Sequence, residues 1–183
     1  MNAEVEEFLQ KIKFPYTVGY GMTECAPLIS FTPADQFKAK SAGAIIPQME
    51  AKVMDADPNT GIGEICVRGE NLMNGYFKNQ EATDSIIDDE GWLHTGDLGM
   101  IEADGTIFIR GRSKSMILGP SGQNIYPEEI EAKLNNMPFV MESLVVENNG
   151  RLHALVYPDY EAVDLEKLDQ KQLEKVMEEN RTA

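Results

Sequence analysis

The sequence lacks several features that would each define a class of protein. Cysteine occurs only at Cys25 and Cys66, and the two do not form a CxxC pair. Neither a disulfide framework nor a zinc motif is therefore indicated, and a reducing, cytoplasmic compartment fits best. No apolar run is long enough to span a bilayer. The opening residues MNAEVEEFLQK are acidic where a signal peptide would be basic, so we expect no export signal here.

Basic residues are also scarce. The chain has 16 Lys and Arg against 31 Asp and Glu, a formal net charge of -15. Such a charge repels nucleic acid and anionic membranes, so we expect no nucleic-acid partner. The length of 183 residues and the 42% hydrophobic content are ordinary for a folded globular chain.

The first part of the chain predicts a helix and then a β-rich stretch. Apolar spacing favours a helix over Glu4 to Lys13, and Tyr16 to Tyr20 favours a strand that leads into a tight turn at Gly19 to Glu24. Turns after strands are common places for ligands to bind.

Four short strand patterns follow, with turn residues between the members of each pair. The first turn is Asp57-Pro58-Asn59-Thr60-Gly61 and the second is Ala103-Asp104-Gly105. This arrangement predicts a small antiparallel β-subdomain, either barrel-like or a folded sheet. The strands are predicted at Ala51 to Met54, Gly63 to Arg68, Leu98 to Ile101 and Thr106 to Arg110.

The pattern changes after Arg112, where helices and strands alternate. These elements predict a second, smaller α+β unit, so the overall fold class is α+β. Its predicted elements are a strand at Ser115 to Leu118, a helix at Pro127 to Asn136, a strand pair at Val140 to Glu147 and Arg151 to Tyr157, and a helix at Leu165 to Glu179.

Three polar segments carry candidate chemistry. The first is Gly19-Tyr20-Gly21-Met22-Thr23-Glu24. Its glycines allow the backbone to approach a ligand closely, and it also contains a hydroxyl and a carboxylate, which is an oxygen ligand that Mg²⁺ accepts. Trp92-Leu93-His94-Thr95-Gly96-Asp97 ends on a carboxylate that could accept hydrogen bonds from a vicinal diol such as a ribose. Gly111-Arg112-Ser113-Lys114 places two cations before the glycine-containing loop Gly119 to Asn124. Taken singly, each segment fits an ordinary turn or surface charge better than a binding site, and His94 fits a packed or surface residue better than a base.

Read together, the segments resemble the adenylate-forming superfamily, which includes acyl-CoA synthetases, peptide-synthetase adenylation domains and beetle luciferases. The resemblance lies in YGMTE at Tyr20 to Glu24, GEICVRGENLMNGYF at Gly63 to Phe77, GWLHTGDLG at Gly91 to Gly99, and GRSKSMILGPSGQNIYPEEIE at Gly111 to Glu131. Within this superfamily, the residues of these motifs are most similar to those of long-chain fatty acyl-CoA ligases.

The resemblance implies roles for the first segment. The ring of Tyr20 would flank the adenine of ATP or AMP, and Thr23 would contact the α-phosphate. Glu24 would hold Mg²⁺, while Gly19 and Gly21 would supply backbone beside the nucleotide.

Further roles follow along the chain. Asp97 would bind the ribose hydroxyls, and Arg112 would approach the ribose or phosphates. Lys114 would be the hinge of a mobile small domain, and Gly122 would lie on its loop facing the second substrate. The resemblance thus divides the chain into 1–112, the end of a large N-terminal domain, and 113–183, a truncated mobile C-terminal domain.

Two parts of the family's machinery are not recognisable. No Gly, Ser and Thr-rich phosphate loop occurs in the chain, and no Pro and Lys-rich segment with a catalytic lysine; Lys171 and Lys175 lie in an acidic helix pattern instead. We therefore expect both parts in the remainder of a longer enzyme, of which this would be the C-terminal portion.

The expected function is that of a fragment of an ATP-dependent fatty acyl-CoA ligase, inactive in isolation. Its partners would be ATP or AMP, Mg²⁺, a fatty acid, CoA and the missing remainder of its own enzyme. The full-length enzyme would be cytoplasmic, with peripheral association with a membrane left open. Two alternatives remain: a non-catalytic module that binds AMP or ATP, and a β-rich interaction protein that binds no nucleotide.

Overall fold

The computed structural model describes residues 3–36, 38–119 and 121–182, with the backbone alone at 3, 4, 181 and 182. The chain divides into two compact units, Met1–Lys114 and Ser115–Ala183. None of the helices within the described ranges combines the length and apolar character needed to cross a bilayer.

The first unit is built on one antiparallel sheet of seven strands in the order β1-β2-β3-β7-β6-β5-β4. Strands β1 and β4 each have one neighbouring strand in the part of the chain that the structure describes, so the sheet is open rather than a closed barrel. The elements are α1 (Ala3–Lys11), β1 (Val18–Gly21), a short 3-10 turn (Thr23–Cys25), β2 (Leu28–Thr32), β3 (Gly43–Ile45), β4 (Met49–Met54), β5 (Gly63–Gly69), α2 (Gln80–Asp84), β6 (Leu93–Ile101) and β7 (Thr106–Arg112).

The core of this unit lies against the middle of the sheet. Fully buried side chains from four strands meet there: Ile29, Ile65, Val67, Leu93 and Ile107. Burying one such side chain contributes about 1.5–3 kcal/mol. The buried face of β6 begins with Leu93 and continues with Thr95 and Asp97, so polar groups enter the interior towards the middle of the strand.

Both predicted hairpin turns are confirmed, because each has a local hydrogen bond that closes it. Oδ1 of Asp57 accepts from the backbone N of Asn59 at 2.9 Å and of Thr60 at 2.8 Å. In the second turn the amide of Gly105 donates to the carbonyl of Glu102 at 2.9 Å, and Gly105 has φ 81°. A positive φ favours glycine there.

Two predictions about the first unit are wrong in their boundaries. The sequence predicts a turn from Gly19 onward, but Gly19 and Gly21 both lie in β1, which pairs with β2, and the turn begins after them. The sequence predicts a strand only from Leu98, but β6 begins at Leu93, so Asp97 lies in the middle of that strand. Pairing with the neighbouring strands overrode the local turn preference of glycine at both sites.

The second unit is a smaller α+β arrangement, as predicted, so the α+β class is confirmed. Helix α3 begins at Pro127, with two acidic residues in its first turn that complement the helix dipole. The elements are β8 (Ile117–Leu118), β9 (Asn124–Ile125), α3 (Pro127–Leu134), β10 (Val140–Asn148), β11 (Arg151–Pro158), α4 (Tyr160–Leu165) and α5 (Gln170–Thr182). Strand β8 pairs with β9, and β10 pairs with β11.

The predicted helix over Leu165 to Glu179 is confirmed from Gln170 onward, but its predicted start is wrong. Helix α4 ends at Leu165, Lys167 takes φ 55°, and α5 begins only at Gln170. The amide of Gln172 donates to Oδ1 of Asp169 at 2.8 Å, and the amide of Asp169 donates to Oε1 of Gln172 at 2.8 Å. This reciprocal pair is a capping box, which starts a new helix.

Candidate functional site

Asp97 is the centre of the candidate site and is held firmly by its own strand. It is only 7% exposed. Its backbone N donates to Oγ1 of Thr95 at 3.0 Å, and that hydroxyl donates to the carbonyl of Ile65 at 2.7 Å. The backbone of Asp97 is therefore tied, through the Thr95 hydroxyl, to the neighbouring β5.

Two side chains from different strands converge on the Asp97 carboxylate. The hydroxyl of Tyr20, on β1, donates to Oδ2 at 2.6 Å. Nη1 of Arg112, at the end of β7, donates to Oδ1 at 2.8 Å. The structure thus brings together three residues that lie far apart in the sequence, and it gives each Asp97 oxygen one donor.

Burial and hydrogen bonding both act on the phenol of Tyr20. Burial raises the pKa of Tyr20 well above its usual value, and the hydrogen bond to Asp97 raises it further. Tyr20 therefore remains a neutral hydrogen-bond donor at physiological pH. A carboxylate offers about four lone-pair sites, so Asp97 keeps acceptor capacity beyond its two donors.

Gly96 connects the site to the segment that follows β7. The amide of Ser113 donates to the carbonyl of Gly96 at 2.8 Å, and the amide of Gly96 donates to Oε1 of Glu64 at 2.9 Å. Gly96 has φ 71°, which a residue with a side chain rarely adopts. This geometry ties the chain around Arg112 to β6 beside Asp97.

Glu24 lies in the 3-10 turn after β1 and is supported by a later segment. Oε1 of Glu24 accepts from the hydroxyl of Tyr76 at 2.7 Å, and its backbone carbonyl accepts from the amide of Met73 at 2.8 Å. Nδ2 of Asn71 donates to the carbonyls of Cys25 at 2.5 Å and Leu28 at 2.8 Å. The segment Asn71 to Tyr76 therefore holds the turn that carries Thr23 and Glu24.

Tyr76 and Asn71 were missed as site residues by reasoning from the sequence. They lie in a motif that supported the family resemblance, ENLMNGYF, but the motif by itself assigned them no role. Only the folded chain shows that they contact a turn some fifty residues earlier, since Tyr76 and Glu24 are 52 positions apart in the sequence.

Gly21 is required where the chain leaves β1. A Cβ at this position would lie 1.9 Å from the carbonyl oxygen of Pro27, which no packing adjustment tolerates. The amide of the next residue, Met22, donates to that same oxygen at 2.8 Å. The glycine thus permits the close backbone crossing that positions Thr23, whose side chain is exposed.

Two predicted residues lie outside this group of contacts. Lys114 is exposed at the end of the first unit. Gly122 lies in the second unit, in an exposed turn between β8 and β9 with φ 80°.

His94 is packed among other polar groups, as the sequence favoured, and the fold also places the thiol of Cys66 beside its ring. Its Nδ1 lies 2.8 Å from Oε2 of Glu64 and 3.6 Å from Sγ of Cys66. Its Nε2 lies 3.7 Å from Oδ2 of Asp88. Burial raises the pKa of the Cys66 thiol to about 11, and the charge of Glu64 adds to this effect.

Comparison with known proteins now identifies the family. A family profile described as AMP-binding enzyme matches residues 1–77. The long-chain-fatty-acid--CoA ligase of Salmonella typhimurium is 49% identical over 118 residues, which cover 62% of this chain and 21% of that protein. The chain belongs to the adenylate-forming enzymes. Among these enzymes, 4-coumarate-CoA ligase 2 of Narcissus pseudonarcissus is 40% identical over 167 residues, covering 83% of this chain and 29% of the relative.

A solved adenylate-forming enzyme shows the same fold. O-succinylbenzoate coenzyme A synthetase from Bacillus subtilis, in complex with ATP and magnesium ion, matches with a TM-score of 0.77 and 30% identity. The match covers 94% of this chain and 39% of that one. The chain therefore spans well under half the length of the relatives that it matches.

Proposed function

We propose that this chain is part of an ATP-dependent fatty acyl-CoA ligase and that Tyr20, Asp97 and Arg112 form the nucleoside-contacting edge of its site. The observation that carries the proposal is the Asp97 carboxylate, which is nearly buried and has a donor on each oxygen. Its remaining lone pairs match the two adjacent hydroxyls of a ribose. Hydrogen bonds to an ionised acceptor are about twice as strong as neutral ones.

The groups around Asp97 suit the rest of a nucleotide. The neutral ring of Tyr20 would flank the adenine, with the exposed backbone of Gly19 and Gly21 beside it. The Arg112 guanidinium, 58% exposed in its side chain, is a planar cation of the kind that suits ribose or phosphate oxygens. The Thr23 hydroxyl would donate to the α-phosphate.

The carboxylate of Glu24 suits the role of a magnesium ligand. Oε1 accepts from Tyr76, and within the described part of the chain Oε2 accepts no hydrogen bond. A single carboxylate is what Mg²⁺ ordinarily takes from a protein when phosphates and water complete its shell. The bound ion would neutralise phosphate charge as an anionic substrate approaches.

The proposed reaction has two steps. The carboxylate of a fatty acid attacks the α-phosphate of ATP, which releases pyrophosphate and leaves an acyl-adenylate; the thiol of CoA then displaces AMP. This chain would bind and orient the nucleotide in both steps. We assign Lys114 as the hinge, Gly122 to the loop facing the second substrate, and 113–183 to the mobile domain, with the boundary after residue 112.

The fatty acid is proposed from the relatives. One is named as a long-chain fatty acid ligase, and another as a 4-coumarate ligase, which takes an aromatic acid. The sequence motifs favour the fatty acyl branch. Assaying a full-length enzyme that contains this chain against fatty acids of increasing length and 4-coumarate would decide, and a preference for 4-coumarate would contradict the assignment.

Calorimetric titration of the chain with AMP and Mg²⁺ tests the nucleotide site. We expect saturable binding that Asp97→Ala weakens about tenfold or more, since a hydrogen bond to a charged group contributes about 1.5–3 kcal/mol. Asp89→Ala removes an exposed carboxylate of the same unit and is the matched control. Equal affinity of the two variants would contradict the assignment. The absence of any binding would favour the alternative of a β-rich interaction protein.

A second assay tests whether the chain needs the rest of its enzyme. With a fatty acid, ATP and Mg²⁺ we expect no pyrophosphate release from these 183 residues alone. Measurable turnover would show that the phosphate loop and catalytic lysine of the family are not required.

A further inference from the structure

A carboxylate, a thiol and an imidazole meet on β5 and β6, outside the proposed nucleotide contacts. Glu64 and Cys66 are two residues apart on β5, so their side chains share one face of the sheet. His94, on β6, is the register partner of Cys66. One possible ligand atom from each residue lies within 4.8 Å of the others.

We propose that Glu64, Cys66 and His94 form a binding site for a transition-metal ion of the Zn²⁺ or Co²⁺ class, separate from the magnesium ligand assigned to Glu24. Thiolate and imidazole ligands select such ions over Mg²⁺ and Ca²⁺, which prefer oxygen. Three protein ligands leave the fourth tetrahedral position to water.

The distance between two of the ligand atoms matches the separation expected around a tetrahedral zinc ion. With zinc about 2.3 Å from sulfur and about 2.0–2.1 Å from nitrogen, those two atoms are about 3.6 Å apart. Sγ of Cys66 and Nδ1 of His94 are 3.6 Å apart. The pair thus already has the spacing that the ion requires.

Glu64 would have to move slightly. Its Oε2 lies 2.8 Å from Nδ1 of His94, a hydrogen-bond distance. Across a tetrahedral zinc ion the two atoms are about 3.4 Å apart, so the carboxylate must withdraw by about 0.6 Å. The side chain of Glu64 is 26% exposed, which leaves it room to do so.

One ligand has an outer hydrogen-bond partner, and a second has a carboxylate close to its outer side. Asp88 lies 3.7 Å from Nε2 of His94, on the opposite side of the ring from Nδ1, and its own Oδ1 accepts from the amide of Trp92 at 2.8 Å. Oε1 of Glu64 accepts from the amide of Gly96. A carboxylate beyond a histidine ligand is the usual outer support of a metal site, and it sets which ring nitrogen binds the ion.

Access and charge also suit a cation. Cys66 is fully buried, whereas His94 is 31% exposed in its side chain, so an ion would enter from the His94 and Glu64 side. Lys52, the register partner of Cys66 on β4, is a cation on a neighbouring strand. Its ammonium group lies over Trp92, with Nζ 4.3 Å from the centroid of that ring. On binding, the Cys66 thiol gives its proton to solvent and its sulfur bonds to the ion.

Titration of the chain with Co²⁺ tests the site, because a thiolate bound to cobalt produces a charge-transfer band in the near ultraviolet. We expect the band to saturate at one equivalent, to be displaced by Zn²⁺, and to be unaffected by excess Mg²⁺. Cys66→Ala should abolish it. Cys25→Ala should retain it, since Cys25 is an equally buried free thiol of the same unit.

Variants of the exposed ligands keep the test decisive if Cys66→Ala does not fold by circular dichroism. His94→Gln and Glu64→Gln should each weaken Co²⁺ binding about tenfold or more, because loss of even an outer partner costs about 10–100-fold. The proposal is overturned by a missing band, by a band that persists in folded Cys66→Ala, or by unchanged affinity in both His94→Gln and Glu64→Gln.

Discussion

Nη1 of Arg112 donates to Oδ1 of Asp97 over 2.8 Å, and the two residues face each other as register partners on β7 and β6. Their contact therefore depends on the β6–β7 hairpin, whose turn sets which residues lie opposite each other. The side chain of Asp97 is 10% exposed and that of Arg112 is 58% exposed. The buried member of the pair is thus the acceptor, and the exposed member is the donor.

Removing the Arg112 side chain should lower stability only modestly. We expect Arg112→Ala to reduce the free energy of unfolding by about 1 kcal/mol or less, because solvent screens a pair whose cation is more than half exposed. Arg112→Lys, which retains the charge, should fall between wild type and alanine. Denaturant unfolding of these variants, each also combined with Asp97→Asn, would measure the coupling. A loss from Arg112→Ala that is the same with and without Asp97→Asn would show that the two side chains do not interact.

Tyr20→Phe should destabilise the first unit below about pH 10 and change how stability depends on alkaline pH. Losing the hydrogen bond to Asp97 costs about 1 kcal/mol. Burial, and then this hydrogen bond, raises the folded-state pKa of Tyr20. Its contribution is therefore fully present below the unfolded pKa of about 10 and is lost as pH rises towards the folded-state pKa.

Unfolding experiments at about pH 8 and about pH 11 test this difference, on either side of the unfolded tyrosine pKa. Tyr20→Phe should lose less stability between the two pH values than the wild type does. Tyr157→Phe, which changes a 55% exposed tyrosine of the second unit, is the control and should follow the wild type. Identical alkaline losses in Tyr20→Phe and wild type would be inconsistent with the raised pKa.

Gly21→Ala should destabilise the chain far more than Gly19→Ala. The new Cβ at Gly21 would lie 1.9 Å from the Pro27 carbonyl oxygen, whereas at Gly19 the nearest atom, the Ser30 carbonyl oxygen, is 3.3 Å away. We expect a loss of about 3 kcal/mol or more at Gly21, in the range of severe steric changes, and about 1 kcal/mol at Gly19. Thermal melting of both variants is the measurement, and equal melting temperatures would contradict the close crossing.

Asp104, in the β6–β7 turn, should titrate at unusually low pH. A hydrogen bond from the Thr106 hydroxyl, then one from Lys38 and one from the Thr106 amide, lower the pKa of Asp104 to about 2. Because this folded-state pKa is depressed, the stability that it contributes is present above the unfolded pKa of about 3.9 and is lost as pH falls through about 2. Carboxyl NMR titration checks the value.

Lys38→Met is the matched variant for this titration. It should raise the Asp104 pKa only part of the way to its usual value, because the Thr106 hydrogen bonds remain. A pKa that is unchanged in Lys38→Met would show that the ion pair at 3.0 Å does not act on Asp104 in solution.

Local patterns predicted the elements whose signals lie within a few residues. Asp57 and Gly105 mark the two hairpins because an Asx turn and a positive φ are local requirements. Pro127 marks the start of α3 for a similar reason. The break between α4 and α5 was missed because an acidic helix pattern continues through Lys167, and only the Asp169 capping box shows the new start.

The sequence indicates the family and singles out Tyr20, Asp97 and Arg112 as candidate site residues, because the order of residues within a motif does not depend on the fold. It also predicts the α+β class, since strand and helix periods are local properties. The folded chain is needed to show that Tyr20 and Arg112 share the carboxylate of Asp97 and that Tyr76 supports Glu24, because these contacts join different strands and loops.

The same distinction applies to the cysteines. Cys25 and Cys66 have no spacing that indicates a metal motif, and the sequence argued against zinc. Pairing of β5 with β6 nevertheless places Cys66 beside His94 and Glu64. Register between strands that are distant in the sequence depends on the packing of the whole sheet, so ligand sets assembled across strands are visible only in the fold.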